Sequence, residues 1–372
     1  MSLLYPLRRT VFATLLCAVA GIAGAADTVL IVVSGEGRDQ GKTRPGFEMD
    51  EFAQAWAIFR DNGFAVDVAS PQGGRVEADK FDPEAAYNAR VLADTEAMTK
   101  LAATQPTAML KAQDYAAVYV VGGKGAMFDL PADAALGRLL AHVYEQGGIV
   151  AAVCHGPAAL VDVRLADGSL LVAGKALTGF SNEEEALFGK RWAASFRFQL
   201  EDAMRERGAR WEEAPLMLPK LVVDGRLITG QNPYSTALVA EALVKASGRV
   251  PVARTAWRDE RSMQIVQRLL AGKAGEAKAE LAAERQNVDV DLIGLLGYYQ
   301  LKSAIHDAAV RDALAIMQLA APYMPQPQLR LGMAEAHWRL GDAAQARKLL
   351  AAVLASDPEM DEAKQLQRKI DG

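Results

Sequence analysis

Short runs of β-branched and other apolar residues alternate with stretches of helical periodicity between residues 28 and 250 of the 372-residue chain. This alternation is typical of βαβ units, whose parallel strands form a sheet covered by the connecting helices. The pattern predicts strands over 29–34, 65–69, 116–121, 149–153, 175–178, 220–223 and 226–229, with a two-residue hairpin turn at Asp224-Gly225. It predicts helices over 47–62, 132–146, 156–163, 191–207 and 235–246. We therefore expect an α/β fold with a mostly parallel sheet and helices on both faces.

The segment 71–113 interrupts this pattern, since it is long and polar and has a helical pattern only near its end. Long connections within a domain commonly carry function. We expect this segment to cover the ends of the strands.

After about residue 250 the strand signal stops, and Ala, Leu, Gln, Arg and Glu recur at helical spacing. Two sets of residues share the same internal offsets and a third lies between them: Gly272, Ala277 and Leu281; Gly341, Ala346 and Leu350; Ala308, Ala313 and Met317. The pattern resembles tetratricopeptide helical hairpins, in which small residues let paired helices approach closely, and Pro358 is expected after the last helix, where that pattern places its proline. A plain helical bundle is the alternative. We expect an α/β domain over 26–250 and an all-α helical-repeat domain over 251–372.

The first residues have the order of a secretory signal: two arginines at positions 8 and 9, an apolar run over 11–22 and small residues over 23–25. We expect cleavage after Ala25 and a periplasmic or secreted mature protein. A retained anchor is the alternative, although the apolar run is shorter than the ~20 residues that span a bilayer. Lipid attachment at Cys17 is disfavoured because a bulky residue precedes it.

Charge and composition exclude one class of partner. The formal net charge is −5, and lysines and arginines are scattered rather than clustered. Nucleic-acid binding proteins concentrate basic residues on one face or in runs. We therefore expect no nucleic-acid partner.

Cys154 lies at the end of a predicted strand, a position that suits a reactive side chain. Signal removal would leave Cys154 as the single cysteine, either a buried small apolar residue or a free thiol kept for its reactivity. It ends a predicted strand and is followed at once by His155, Gly156 and the helix-starting Pro157. Such a strand-to-helix elbow holds a nucleophile near helix N-termini, where backbone N–H groups favour a thiolate and a developing oxyanion. The arrangement favours the reactive thiol.

Several motifs then resemble a known family, the ThiJ/PfpI superfamily, in its glyoxalase and chaperone branch. They are 151–160 around the elbow, 174–175 with 178–185 (TGFSNEEE), 227–233 (LITGQNP), and upstream Phe59 with 63–64 and 66–74. The resemblance covers roughly residues 28–245. It implies a flavodoxin-like sheet with a cysteine nucleophile elbow, and chemistry without a metal, nucleotide or thiol cofactor.

The resemblance also implies site residues. Cys154 is expected to be the nucleophile and His155 its adjacent base, with an acidic residue after Phe180 that orients the histidine. By spacing we select Glu185, with Glu183 and Glu184 as alternatives. A carboxylate on the far ring nitrogen fixes the tautomer of such a histidine.

A second acid is implied early in the first helix, where the family places a glutamate that reaches the cysteine sulfur. Glu51 fits this place, with Glu48 and Asp50 as alternatives. Beside a thiolate in a confined site its pKa would rise, which suits a proton shuttle. All three could instead be acids that complement the helix dipole.

A glycine-rich turn follows the strand predicted over 116–121. Gly122, Gly123 and Lys124 are expected beside the oxyanion position, with the Gly123 N–H as donor. Many relatives carry histidine where Lys124 stands, so substrate handling here could differ. The turn lacks the Lys-Ser/Thr pair of a phosphate-binding loop, and no His, Cys or acidic spacing matches a zinc or iron site.

The first functional hypothesis is an enzyme acting on small reactive carbonyls. It would be a glutathione-independent glyoxalase, converting methylglyoxal to lactate, or a deglycase acting on glycated substrates. The second is a periplasmic chaperone or redox-sensing interaction protein that holds a protein partner through the helical repeats. A cysteine peptidase or amidase is the third. Dimers are common in the family, so a homodimer is expected without any single residue that requires it.

Overall fold

The computed structural model describes residues 27–371. The predicted export signal and Cys17 lie outside these residues. Within the described range, no helix has both the length and the apolar character that crossing a bilayer would demand.

The central element is a seven-stranded sheet with the order β3-β2-β1-β4-β5-β9-β8. All neighbouring pairs are parallel except β8 and β9, which form an antiparallel hairpin at one edge. The strands are β1 (Thr28–Val32), β2 (Ala65–Ser70), β3 (Gln105–Pro106), β4 (Ala117–Val120), β5 (Ile149–Val153), β8 (Leu221–Asp224) and β9 (Leu227–Gly230), while β6 (Ala176–Leu177) and β7 (Arg210–Trp211) form a separate parallel pair. The mostly parallel sheet predicted from the sequence is confirmed.

Two details of this sheet differ from the expectation. The segment predicted as a strand over 175–178 pairs with β7 and not with the main sheet. The hairpin turn lies one residue later than predicted, because Asp224 still pairs with Leu227 and leaves Gly225 and Arg226 as the turn residues. Gly225 has φ +63°, which a glycine at the first turn position adopts without strain.

Helices cover both faces of the sheet. Helices α1 and α9 pack together on one face, while α5 packs against β4 and β5. The helices of this part are α1 (Met49–Asp61), α2 (Ala86–Leu92), α3 (Thr95–Ala102), α4 (Ala126–Asp129), α5 (Ala134–Glu145), α6 (Asn182–Phe188), α7 (Lys190–Ala193), α8 (Leu200–Glu206) and α9 (Thr236–Ala246). The polar segment 71–113 thus holds two helices, and α2 packs against α1.

Two predicted helices are not formed as expected. The helix over 156–163 is a short 3-10 helix, Gly156–Leu160, as is common where a helix starts directly from a turn. The single helix over 191–207 is wrong, since α7 and α8 are separated by residues 194–199. Phe196 in this gap packs on Phe128, with ring centroids 5.4 Å apart. The contact between the Phe196 and Phe128 rings is made in the break between helices α7 and α8.

Residues beyond 257 form helices throughout. They are α10 (Arg258–Leu270), α11 (Ala274–Ala283), α12 (Val290–Ser303), α13 (Asp307–Ala320), α14 (Pro327–Arg339), α15 (Ala343–Ser356) and α16 (Asp361–Asp371). Consecutive helices pack as pairs, α10 with α11, α12 with α13 and α14 with α15. Six of the nine repeated positions are buried in these pairs, while Gly272, Ala308 and Gly341 are exposed: Ala277, Leu281, Ala313, Met317, Ala346 and Leu350. The all-α region is confirmed, and its likeness to tetratricopeptide repeats stays a prediction.

The apolar core of the helical region reaches back into the α/β part. Leu216, Met217 and Leu218 lie between β7 and β8 in sequence, yet they belong to the buried cluster of helices α10 to α14. Phe188 and Tyr234 pack at the edge of the same cluster. The division at residue 250 therefore stays a prediction, because the two parts share buried surface.

The strand order places the site. In the sheet, β1 lies between β2 and β4. The chain runs from β1 to β2 on one side and later returns from β3 to β4 on the other side, so the direction of the connections reverses at the β1–β4 boundary. Ligands of open α/β sheets bind outside the carboxyl ends of the strands at such a switch point. The residues after β4 and β5, and the first turn of α1, meet there.

Candidate active site

Cys154 follows β5 in a strained conformation. Its φ is +58°, in the left-handed region that a residue with a side chain adopts rarely. The backbone on both sides is held, since the Cys154 N–H donates to the Gly230 carbonyl at 2.9 Å and the Cys154 carbonyl accepts from the Phe180 N–H at 2.8 Å. The side chain is 3% exposed. This geometry turns the thiol out of the sheet and into an enclosed site, as in a nucleophile elbow.

His155 lies between the thiol and a carboxylate. Its Nδ1 is 3.4 Å from the Cys154 Sγ, and its Nε2 is 2.7 Å from Oε2 of Glu185. The Phe180 ring lies against the imidazole with centroids 4.4 Å apart. A carboxylate only accepts hydrogen bonds, so Nε2 carries the proton. The lone pair of Nδ1 therefore faces the thiol and can accept its proton.

The three consecutive glutamates of α6 have separate positions. Glu185 is the one that contacts His155. Glu184 forms a capping box with Ser181 and also accepts hydrogen bonds from Asn232 Nδ2 at 2.8 Å and the Met217 N–H at 3.2 Å. Glu183 is exposed. The geometry thus brings the residue selected by spacing, Glu185, to the histidine.

Glu51 lies on the other side of the thiol, fully buried in the first turn of α1. The Gly122 N–H donates to its Oε2 at 2.6 Å, and the carboxyl also interacts with the Cys154 thiol. None of the described residues donates a hydrogen bond to Oε1. Burial raises the pKa of Glu51 well above its usual value, reinforced by the charge of Glu48. These surroundings favour the protonated form of Glu51 beside the thiol.

The surroundings of Cys154 and His155 also favour the neutral forms of these two side chains. Burial raises the pKa of the Cys154 thiol well above its usual value, and the neighbouring Glu51 adds to this, whereas the Gly123 N–H opposes it. Burial lowers the pKa of His155, while its hydrogen bond with Glu185 raises it. The surroundings therefore favour a thiol, a neutral imidazole and a protonated Glu51 before any proton is transferred.

The glycine turn after β4 packs against the thiol. A Cβ atom at Gly122 would lie 2.7 Å from Cβ of Cys154 and 2.8 Å from Oε2 of Glu51, so only glycine fits between them. The Gly122 N–H is taken up by Glu51 and is not available to a substrate oxygen in this arrangement. The Gly123 N–H interacts with the thiol and stays the candidate oxyanion donor. Lys124 lines the cavity, and its charge lowers the pKa of His155.

A cavity of about 180 Å³ opens onto Cys154. Its walls combine polar and apolar side chains: Glu48, Asp79, Lys124, His155, Phe180, Glu184, Phe188, Met217, Asn232, Pro233 and Tyr234. Burial, with Asp50 and Asp79 nearby, raises the pKa of Glu48 to about 8. Asp50 instead accepts hydrogen bonds from Asn88 and Tyr87. Of the alternatives to Glu51, Glu48 therefore lies in the site and Asp50 supports the fold.

Sequence reasoning missed Phe188, Met217 and Tyr234 as cavity walls. Their apolar side chains carry no spacing or motif that distinguishes them from core residues. The loop that holds Met217 packs against the helical region, which is distant in sequence from the motifs. Among the described residues, no cluster of His, Cys, Asp and Glu could hold a metal ion.

Comparison with known proteins now decides the family. The DJ-1/PfpI family matches residues 43–246, more than half of the chain. The chain belongs to the DJ-1/PfpI family. The resemblance to the ThiJ/PfpI superfamily inferred from the motifs is thereby confirmed. The helices beyond residue 246 lie outside the family match.

Relatives of this family member include two yeast enzymes. Glutathione-independent glyoxalase hsp3101 of Schizosaccharomyces pombe is 31% identical over 222 residues, which cover 54% of this chain and 87% of that protein. Glutathione-independent glyoxalase HSP31 of Saccharomyces cerevisiae is 29% identical over 230 residues, covering 55% and 90%. The similarity therefore spans most of each relative and leaves much of this chain unmatched.

Two solved structures share the fold. Glyoxalase III of Candida albicans has a TM-score of 0.55 at 25% identity, covering 60% of this chain and 98% of that one. The 24-kDa rapid encystment protein of Francisella tularensis has a TM-score of 0.56 at 28% identity, covering 59% and 98%. The flavodoxin-like fold expected from the resemblance is confirmed.

The position of Glu185 predicts a selective effect on thiol reactivity. In Glu185→Gln an amide no longer stabilises the imidazolium that forms when Nδ1 takes the thiol proton. We expect alkylation of Cys154 by iodoacetamide at pH 7 to slow by roughly tenfold or more, with the pH profile displaced to higher pH. Mass spectrometry of the peptide containing Cys154 measures the rate.

Glu183→Gln is the matched control, since Glu183 is exposed on the same helix turn. It should alkylate at the parent rate. Equal slowing in both variants would show that a general loss of negative charge, and not the contact with His155, governs the thiol.

Proposed function

We propose that the protein is a cysteine-dependent enzyme acting on small reactive dicarbonyls, as a glutathione-independent glyoxalase that converts methylglyoxal and water to lactate. One observation carries the proposal: Cys154 and His155 line one small cavity, and the buried carboxyl of Glu51 interacts with the Cys154 thiol beside it. The names of the yeast and Candida relatives support the same activity.

The first step is addition of the thiol to the aldehyde. The Cys154 Sγ bonds to the aldehyde carbon C1, its proton passes to Nδ1 of His155, and Glu51 donates its proton to the carbonyl oxygen. A neutral hemithioacetal results, with Glu51 as carboxylate and His155 as imidazolium paired with Glu185. The Gly123 N–H, close to the sulfur, is placed to stabilise charge on the oxygen as it develops.

Proton transfer between the two carbons follows. The Glu51 carboxylate takes the proton from C1 while His155 protonates the oxygen on C2, which gives an enediol bonded to sulfur. Glu51 then returns its proton to C2, and His155 takes the proton from the C1 oxygen. The product of this step is a thioester of lactate on Cys154, with no net oxidation or reduction.

Hydrolysis completes the cycle. Water adds to the thioester carbon and gives a proton to Glu51, while the C1–S bond breaks and His155 returns a proton to the sulfur. Lactic acid leaves and ionises in water. All three groups are back in their resting protonation states, so no thiol, metal or nucleotide has to be supplied.

Cavity size and electrostatics argue against the other hypotheses. About 180 Å³ accommodates a small dicarbonyl, whereas sites for larger organic ligands are commonly ~300–1,000 Å³. A peptidase would need room for a chain on both sides of the thiol. Oxidation as a redox sensor is favoured by an exposed thiolate, whereas Cys154 is buried and its surroundings raise the pKa of the thiol. Deglycation of a small adduct uses the same first step and stays within the proposal.

Lactate formation tests the proposal directly. The protein is incubated with methylglyoxal in D₂O without glutathione, and the product is followed by NMR beside the Cys154→Ala variant. We expect lactate from the parent alone, with the C1 hydrogen carried to C2 largely without exchange for deuterium, because Glu51 is fully buried. Absence of lactate from protein whose Cys154 is still alkylated by iodoacetamide would refute the glyoxalase proposal.

A further inference from the structure

The peptide bond between Leu216 and Met217 is held from both sides. The Leu216 carbonyl accepts a hydrogen bond from Gln300 Nε2 of helix α12 at 2.9 Å. The Met217 N–H donates to Oε1 of Glu184, on helix α6 of the α/β part, at 3.2 Å. Gln300 is 7% exposed, so this contact is shielded from water. One peptide thus connects the helical region to the wall of the active site.

Met217 depends on this support. Its φ is +62°, a conformation that a residue with a side chain keeps only where its surroundings impose it. In this conformation Met217 lines the cavity that contains Cys154. Release of the Leu216 carbonyl would therefore let the loop relax and move the Met217 side chain.

The residue before Gln300 supports a second wall. The Tyr299 ring packs edge-on against Phe188, with centroids 5.1 Å apart and an interplanar angle of 76°. Phe188 ends helix α6 and lines the same cavity as Met217. Two adjacent residues of α12 thus stand behind two apolar walls. The family match ends at residue 246, so the matched part of the chain does not supply this support.

We propose that Gln300 and Tyr299 are positioning residues that set the width of the cavity and thereby the size of carbonyl substrate that reaches Cys154. The substrate class in this statement rests on the proposed function. The predicted effect on the access of reagents to the Cys154 thiol does not rest on the proposed function, because it concerns the cavity walls alone.

Thiol reagents of different sizes test the width of the cavity. Gln300→Met keeps the side-chain length but removes the donor to Leu216. We compare alkylation of Cys154 by iodoacetamide with alkylation by the bulkier N-phenylmaleimide, each rate read from the Cys154 peptide by mass spectrometry. Loss of one hydrogen bond of typical strength changes an equilibrium about fivefold, so we expect the bulky-to-small rate ratio to rise by about that factor. Gln318→Met, an exposed glutamine on α13, is the matched control and should keep the parent ratio.

Substrate preference supplies a second readout. With methylglyoxal and phenylglyoxal as substrates, Gln300→Met should shift kcat/KM toward phenylglyoxal, through KM, with kcat for methylglyoxal largely kept. A merely structural role would lower kcat for both substrates and slow both reagents together. An unchanged rate ratio, or such a uniform loss, overturns the proposal.

Tyr299→Ala covers the case in which Gln300→Met fails to fold. It removes the ring behind Phe188 and leaves the Leu216 contact in place, and it should raise the same rate ratio. If the ratio rises while neither dicarbonyl is converted, the positioning role stands and the glyoxalase proposal fails. A parent ratio in a folded Tyr299→Ala variant overturns the role of Tyr299.

Discussion

Cys154→Ala is expected to lose lactate formation from methylglyoxal by roughly 10⁴-fold or more, the scale seen when a catalytic nucleophile is removed. The other groups of the site cannot replace it, because His155 and Glu51 only move protons and the covalent bond to C1 needs the sulfur. The measurement is the initial rate of lactate formation at saturating methylglyoxal.

The fold should survive this change. Cys154 is buried but small, and alanine meets the same left-handed backbone conformation that cysteine already holds. We expect a change in Tm of only a few degrees. Cys17→Ser is the matched control for the chain's other cysteine and should keep the parent rate. Lactate formation by a folded Cys154→Ala variant at more than a few percent of the parent rate would remove Cys154 from the mechanism.

Glu51→Gln is expected to lower kcat by roughly 10²–10⁴-fold, the usual range for a general acid–base group. The amide keeps nearly the same shape and can still meet the Gly122 N–H, but it can neither donate a proton to the aldehyde oxygen nor carry one from C1 to C2. His155 can still pass the thiol proton to the aldehyde oxygen, so the thiol should still add to the aldehyde at a reduced rate, while proton transfer from C1 to C2 is blocked. Mass spectrometry of the protein mixed with methylglyoxal should show the trapped hemithioacetal, parent mass plus methylglyoxal.

Glu48→Gln is the comparison that separates the two buried acids. Glu48 lines the cavity and acts on the thiol through its charge, whereas Glu51 forms a hydrogen bond with the thiol, so loss of Glu48 should reduce the rate less than loss of Glu51. A larger effect at Glu48 than at Glu51 would transfer the shuttle to Glu48.

The pH dependence of the parent follows from the same groups. Burial raises the pKa of Glu51 well above its usual value, which favours the protonated acid that speeds the first step. Activity should therefore fall as the pH rises through the folded-state pKa of Glu51. Glu51→Gln should lose this alkaline limb, since its amide does not titrate.

Much of the site could be read from local sequence. The elbow at Cys154 and the adjacent His155 lie within one short motif, and the backbone of the strand-to-helix turn orients them. Glu185 was selected through family resemblance and its spacing from Phe180, and helix α6 brings it to His155. Proximity of Glu51 to the thiol came from family resemblance. Its physical basis is visible only in three dimensions, where α1 and the glycine turn after β4 close around one sulfur atom.

Other predictions failed where packing overrode local pattern. The helical periodicity over 191–207 is real, yet the chain breaks between α7 and α8 because Phe196 packs on Phe128. The segment over 175–178 has strand character but pairs outside the main sheet. Neither outcome follows from propensity, since each depends on residues distant in sequence.

The sequence by itself determined the alternation of strands and helices, the nucleophile elbow and the change to an all-α region, because hydrophobic period and turn chemistry act over a few residues. Only the tertiary structure decided which glutamate meets His155, which acid stays protonated and which side chains close the cavity. Burial and electrostatic coupling depend on what surrounds a group from every side. The wall formed by Met217 shows this most clearly, since its position depends on Gln300, 83 residues farther along the chain.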